Sequence, residues 1–342
     1  MRLAFALALM TFPLGLPATA QTSAADLAAK VAEAVDTHVI PGFAALKAEA
    51  DELAGAAQDN CAPDNIALRE AWSEAFDAWL GVSHLRFGPT EVNERGFALT
   101  FWPDPRGATP RTLGVLIADQ DPIGLDAEAY ADMSVAARGF HAMEFLLFDE
   151  QLSVPDETGY HCELVRTVAG DIANVAAELE AEWAAYGVEL KSPTPDSEFR
   201  TAEEAARALF GSLSTGLEFN FDARLGRPMG TFDRPRPTRA ENRRSGRSLR
   251  NVIVTTEAQR DLALAFADDG SELEAELEKV FDATLTLARG LDDPAFAGVA
   301  EPIGRIRVEA IQTSIRDIRQ TVALGLGASL GIAAGFNALD GD

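Results

Sequence analysis

Apolar side chains recur every three or four residues along most of this 342-residue chain, and few stretches alternate apolar and polar positions. A period near 3.6 residues is typical of amphipathic α-helices, whereas strict alternation would indicate half-buried strands. The clearest apolar stripe lies within residues 66–82, where Trp72, Phe76 and Trp79 recur at helical spacing. The pattern therefore predicts an all-α protein with these aromatic residues in its core.

Proline and glycine interrupt the helical pattern at several points. Pro41 predicts a kink or a break in the first helix. Residues 187–196 contain two prolines and predict a link between two tandem helical-bundle domains, residues 21–190 and residues 191–342. The predicted helices cover residues 23–53, 66–82, 112–117, 133–148, 158–186, 201–217, 249–267, 272–289 and 303–323.

The first 20 residues have the pattern of a secretory signal peptide. Arg2 supplies the positive charge, residues 3–16 are apolar, and Ala18-Thr19-Ala20 is a small-residue cleavage site. We expect an exported protein that keeps no transmembrane anchor after cleavage. An uncleaved signal anchor is the alternative.

Charge is distributed unevenly along the chain. The net charge of −25 argues against nucleic acid as a partner, because nucleic-acid phosphates would repel the protein. Residues 224–250 are the exception, since they hold nine arginines against Asp233 and Glu241. These arginines either attach the segment to acidic helices or form a site for a carboxylate or another oxyanion, which guanidinium groups bind well.

The two cysteines, Cys61 and Cys162, are an even pair. In an oxidising compartment such a pair predicts one disulfide. The bond would close a loop of about 100 residues and stabilise the fold by on the order of 4–5 kcal/mol in the chain-entropy model. Two free, buried thiols are the alternative.

His141 and Glu144 lie three residues apart in an otherwise apolar run, residues 138–148. Residues at positions i and i+3 share one face of an α-helix, so the imidazole and the carboxylate would point the same way. Together they could share a metal ion or a proton. The alternative is a buried histidine that is hydrogen-bonded to a nearby acid.

Gly139-x-His141-x-x-Glu144 resembles the GxHxxE motif of the imelysin-like family. The resemblance implies an exported, periplasmic protein of two helical bundles that is involved in iron uptake, with partners in the cell envelope. It also brings an assignment of the family as metallopeptidases. Further motifs that resemble the family are Trp72, Leu85-Arg86-Phe87-Gly88-Pro89, Phe101-Trp102-Pro103-Asp104 and the ending Gly335–Asp342.

The resemblance implies that His141 and Glu144 bind a metal ion, with iron favoured and zinc possible. Glu74 and Asp104 are candidates for additional ligands. The residues that we expect to bind an anionic ligand are Arg86, Arg247 and Ser248.

Three functions are compatible with these residues, and a metal-binding protein without enzymatic activity is favoured. A zinc peptidase is the second, but it needs three protein ligands and a water, and the chain has neither HExxH nor HxxEH. The third is a protein whose arginine-rich segment binds a carboxylate or a chelate without a protein-bound metal. That function predicts a cleft between the two domains with Arg247 near His141.

Overall fold

The computed structural model describes residues 23–332, and this part of the chain is helical with no β-strand. Most of the predicted helices are confirmed within a few residues. The helices are α1 (Ala24–Ala34), α2 (Ile40–Asp59), α3 (Ile66–Val82), α4 (Arg95–Leu99), α5 (Ala108–Asp119), α6 (Ala127–Tyr130), α7 (Gly139–Phe148), α8 (Tyr160–Lys191), α9 (Ala202–Phe219), α10 (Gly226–Met229), α11 (Ser248–Ala265), α12 (Glu272–Arg289), α13 (Pro302–Thr321) and α14 (Gly327–Ser329).

Polar side chains cap the N-termini of several of these helices. Ser23, Asn65, Thr201 and Ser271 each accept a hydrogen bond from a backbone N–H of the following first turn. Such N-caps satisfy donors that have no partner inside the helix. Pro41 lies in the first turn of α2, which continues in helical conformation from the segment before it. The expected irregularity occurs just before it, as a π-helical segment at Val35–Val39.

Two apolar cores hold the helices together. The smaller core contains only residues between Leu225 and Ile315. The larger core includes Trp72, Phe76 and Trp79, as predicted, and it also contains residues such as Leu213 and Phe281 from beyond the proposed link. Side chains from both sides of residue 190 therefore pack in one core. The division of the chain into two domains near this residue stays a prediction.

The disulfide between Cys61 and Cys162 is confirmed. It connects the segment before α3 to the first turn of α8, across a sequence separation of 101 residues. No helix within residues 23–332 is long and apolar enough to cross a membrane. The predicted signal peptide and the family-like ending, Gly335–Asp342, lie outside the described residues.

The predicted helix over residues 133–148 is wrong in its first part. The described chain forms a short 3₁₀ turn at Val135–Ala137, then extended backbone at Arg138, and α7 begins only at Gly139. Gly139 has a φ of +73°, which a regular helix cannot accommodate. The apolar pattern continues through this break because both parts are buried.

A pair of buried histidines lies where the π-helical segment meets the end of α3. The Nε2 atoms of His38 and His84 are 3.1 Å apart, so one ring donates to the other and both are neutral. Burial lowers the pKa of His38 to about 4 and the pKa of His84 well below its ordinary value. The positive charge of Arg224 adds to the effect on His84.

This pair predicts acid sensitivity. A histidine with a depressed folded-state pKa stabilises the fold above the unfolded pKa near 6.5, and this stability is lost as the pH falls toward the folded value. We expect the free energy of unfolding to drop by on the order of 3 kcal/mol between pH 6.5 and pH 4. Urea titrations of the protein and of His38→Gln across this interval measure the effect. The same pH dependence of the free energy of unfolding in both proteins would contradict it.

Candidate functional site

Helix α7 carries the GxHxxE motif and is fixed at its N-terminus by contacts with α4 and α8. A Cβ on Gly139 would come within 2.2 Å of the Ala98 carbonyl oxygen and 2.3 Å of the Leu99 carbonyl oxygen, so only glycine fits. Arg138, immediately before it, makes a bidentate ion pair with Asp171 of α8, at 2.9 and 2.7 Å. These contacts fix the orientation of α7 and therefore the positions of His141 and Glu144.

His141 is buried, yet neither of its ring nitrogens has a hydrogen-bond partner within the described residues. Its ring lies edge-on to Phe76 at 5.8 Å and parallel to Trp102 at 6.5 Å between centroids. Burial lowers the pKa of His141, although the negative charges of Glu241 and Glu144 oppose this effect. The neutral ring therefore offers one N–H donor and one free lone pair.

Glu144 is also buried, and the arginine-rich segment holds one of its oxygens. Its Oε1 accepts hydrogen bonds from the backbone N–H of Ser245, at 3.0 Å, and from the Ser245 hydroxyl, at 2.8 Å. No hydrogen bond to Oε2 is found in the part of the chain that the structure describes. Glu144 thus joins the motif helix to the second half of the chain through Oε1 alone.

His141 and Glu144 both line a cavity of about 230 Å³ between α7, the proline-rich loop before α5, and the arginine-rich segment. The volume suits a small ligand, since pockets for drug-sized molecules are larger. The lining residues are Phe101, Trp102, Asp104, Pro105, Gly107, Thr109, Pro110, His141, Glu144, Phe145, Arg227, Thr238, Arg239, Ala240, Asn242 and Arg244.

Two arginines of the lining have no carboxylate partner among residues 23–332. The guanidinium of Arg227 lies 5.7 Å from the Trp102 ring, and its Nε is buried without a hydrogen-bond partner. Burial, and then the positive charge of Arg239, lower the pKa of Arg227. The two positive charges, which have no counter-ion among the described residues, favour the binding of an anion between or beside them.

A third arginine forms part of the cavity wall. Arg244 Nε donates to Asp149 Oδ2 at 2.6 Å, and its guanidinium lies 3.8 Å from the centroid of the Phe145 ring. Phe145 and Arg244 also line a wider external groove of about 640 Å³, next to the cavity. Arg244 therefore separates the cavity from the groove.

A buried carboxylate that the sequence did not single out as a site residue lies close to His141. Glu241 Oε2 accepts from Arg224 at 2.8 Å and from Asn251 at 2.9 Å, whereas its Oε1 has no partner within the described residues. Burial raises the pKa of Glu241, but Arg224 and His141 hold it below its ordinary value. Glu241 is therefore a charged group that acts on the site histidine.

The amide of Asn242 is a further polar group of the site. Its Oδ1 accepts from Asn251 at 2.9 Å, but its Nδ2 is buried without a partner in the described chain. Buried donors are nearly always satisfied in proteins, so this N–H is available to a ligand or a water in the cavity. Asn242 lines the cavity, so its Nδ2 is placed to donate to such a ligand.

Of the two additional metal ligands suggested by the sequence, only Asp104 reaches the cavity. Its two oxygens accept from the backbone N–H groups of Ala108 and Thr109, each at 2.9 Å, so it begins helix α5. Glu74 is exposed and does not line the cavity. Its position on α3, beside the buried aromatic stripe, points it to solvent.

The three residues that we expected to bind an anion have structural partners instead. Arg86 pairs with Glu91. Arg247 pairs with Asp77 and donates to Ser73 O at 3.0 Å, and the Ser248 hydroxyl donates to Glu241 O at 2.5 Å. None of the three lines the cavity, although Arg247 and His141 both lie against the Phe76 ring, so a role of these three residues in ligand binding stays a prediction.

The described residues do not provide a metal site by themselves. No group of three or more His, Cys, Asp or Glu side chains within residues 23–332 is arranged to hold a metal ion. His141 and Glu144 supply at most two ligands, and Asp104 is used by backbone donors. A metal at this position would need its remaining ligands from elsewhere.

Fold and site together define an all-α protein with a small, polar cavity built on an HxxE helix and closed by an arginine-rich segment. The sequence profile of the imelysin family, peptidase M75, matches residues 39–322. The chain therefore belongs to the imelysin family. No curated protein matches the sequence.

Two solved structures have the same fold. An imelysin-like protein from Psychrobacter arcticum 273-4 superimposes with a TM-score of 0.77 at 19% identity, over 92% of this chain and 98% of its own. A protein from Parabacteroides distasonis ATCC 8503, assigned as an iron-regulated protein A precursor, gives a TM-score of 0.75 at 14% identity, over 92% and 97%. At these identities the similarity supports the all-α fold.

Proposed function

We propose that this protein binds a small, carboxylate-bearing metal chelate, with iron favoured, in the cavity between α7 and the arginine-rich segment. The metal is the cargo and not a resident cofactor. The protein acts as a binding protein in iron uptake and not as a peptidase.

The observation that carries this proposal is the set of unsatisfied polar groups in one cavity. His141 offers both ring nitrogens, and Arg227 and Asn242 each offer a buried donor that has no partner within residues 23–332. Leaving such groups without partners costs on the order of 1–3 kcal/mol each. A ligand that satisfies them together gains this energy on binding.

The two sides of the cavity, one formed by His141 and Glu144 and the other by Arg227 and Arg239, favour opposite charges on the ligand. His141 and the free oxygen of Glu144 can accept a proton or bind a cation. Arg227 and Arg239 require an anion. A metal ion that is already held by a carboxylate chelator presents both, because the metal faces the histidine and the carboxylates face the arginines.

The donor set favours a chelate over a bare ion. Residues 23–332 offer no group of three carboxylates, imidazoles or thiolates that could hold a metal through side chains alone, and a zinc peptidase needs three such ligands. A chelate brings the missing oxygen ligands with it. Iron is favoured because hard oxygen ligands suit it and because one structural relative is assigned as iron-regulated.

Periplasmic export and envelope partners are part of the proposal. The predicted signal peptide supports export, and the disulfide between Cys61 and Cys162 fits an oxidising compartment. Envelope proteins of iron uptake are the proposed partners that deliver or receive the ligand.

Calorimetry tests the proposal with ferric citrate, citrate alone and zinc chloride alone as probes. We expect the protein to bind ferric citrate more tightly than either other probe. His141→Gln and Arg227→Gln should each weaken this binding by roughly tenfold to a hundredfold, the effect of one lost hydrogen bond with a charged partner.

His161→Gln and Arg234→Gln are the matched controls. His161 is a buried histidine outside the cavity, with its Nε2 at 3.0 Å from Leu152 O, and Arg234 is an exposed arginine of the same segment. Both controls should bind ferric citrate as the unchanged protein does. The proposal would be overturned if the unchanged protein and all four variants bound ferric citrate with equal affinity, or if the unchanged protein did not bind it.

A further inference from the structure

The tightest turn of the arginine-rich segment presents an exposed aromatic ring. Thr231 and Arg234 form a single β-bridge, and Phe232 between them is 76% exposed. Arg305 of α13 fixes the turn, since its Nη1 donates to Met229 O at 2.7 Å and to Thr231 O at 3.2 Å. Phe232 is therefore held outward on a supported turn.

The start of α13 adds further apolar surface next to this turn. Ile303 and Ile306 are 70% and 63% exposed, and they share one face of the helix because they are three residues apart. Arg305 lies between them in sequence, and its guanidinium is 5.8 Å from the centroid of the Phe232 ring. Large apolar side chains that are exposed together, unlike single ones, are typical of interaction sites.

The same surface is positively charged in an acidic protein. Residues 229–240 contain three arginines and one acid, Asp233, and the start of α13 holds Arg305 and Arg307 between Glu301 and Glu309, of which Glu309 pairs with Arg305, although the whole chain carries a net charge of −25. Arg234, Arg236 and Arg307 form no ion pair within the described residues. The surface is therefore attracted to an anionic partner that the rest of the protein repels.

We propose that Phe232 and the arginines around it dock this protein on the surface of a bilayer that contains anionic lipids. An aromatic ring fits the boundary between headgroups and acyl chains, and arginines pair with lipid phosphates. An acidic protein partner would account for the charge but would leave the exposed apolar face without an occupant. The net negative charge directs the other surfaces away from the bilayer.

Vesicle co-sedimentation tests this docking with the full-length mature chain. The probes are vesicles of phosphatidylcholine alone and vesicles that also contain phosphatidylglycerol. We expect binding to the anionic vesicles only, and weaker binding as the salt concentration rises. Phe232→Ser and the double variant Arg234→Gln/Arg236→Gln should each weaken it by roughly tenfold or more.

Two controls separate this effect from a general loss of surface apolarity or charge. Ile66→Ser removes a side chain that is 72% exposed on α3, and Arg200→Gln/Arg316→Gln removes two exposed arginines elsewhere. Both should bind the anionic vesicles normally, and circular dichroism should show the same helical content in all variants. No preference for anionic vesicles, or normal binding by Phe232→Ser, would overturn the proposal, even if the same surface captured a protein.

Discussion

Replacing Gly139 by alanine is expected to lower the free energy of unfolding by at least about 3 kcal/mol. The backbone at Gly139 has a φ of +73°, which costs an L-residue on the order of 1–2 kcal/mol. The added methyl would also lie 2.2 and 2.3 Å from two backbone oxygens that cannot rotate away. Urea titration of Gly139→Ala measures the loss.

Gly170→Ala is the matched control for this substitution. Gly170 lies inside α8, and a Cβ there would meet no heavy atom within 4 Å. Alanine favours a helix interior over glycine by roughly 0.5–1 kcal/mol, so this variant should be as stable as the protein or more stable. If Gly139→Ala unfolds at the same urea concentration as Gly170→Ala, the close approach of α7 to Ala98 and Leu99 does not constrain the motif.

Removing the disulfide is expected to have the largest effect on the stability of the fold. The double variant Cys61→Ala/Cys162→Ala should lose on the order of 4–5 kcal/mol, because the unfolded chain regains the freedom of a loop with a sequence separation of 101 residues. Urea titrations of the oxidised protein and of the double variant measure the difference.

Reduction of the unchanged protein provides an independent comparison. The protein in dithiothreitol should unfold at the urea concentration of the double variant, whereas dithiothreitol should leave the double variant unchanged. If the oxidised and reduced proteins are equally stable, the bond does not limit the unfolded chain as the loop length predicts.

The sequence predicted the helices well because each helix buries an apolar stripe, and such a stripe has a local period. Trp72, Phe76 and Trp79 are buried as their spacing predicts. The break before α7 could not be read in this way, since the apolar pattern continues through it. What breaks the helix there is the close approach of Gly139 to the backbone of Ala98 and Leu99, about 40 residues earlier in the chain.

The motif residues of the site were predictable, whereas most of their partners were not. His141 and Glu144 share a helix face, and that follows from their spacing alone. Ser245, the partner of Glu144, lies 101 residues away, and which of nine arginines face the cavity depends on the path of an irregular segment. Only the excess of arginine in residues 224–250 indicated that part of the site would come from there.

The larger apolar core contains side chains from both sides of residue 190. This shared core limits how the proposed ligand can enter the cavity. Bending the two halves apart would expose that shared interior to water, which disfavours a hinge between them as the route of entry. For the proposed ligand we expect access through a smaller displacement at the surface, in which Arg244 breaks its hydrogen bond with Asp149 and moves away from the Phe145 ring. The proposed ligand would then reach the cavity through a local opening, without a movement of the two halves of the chain.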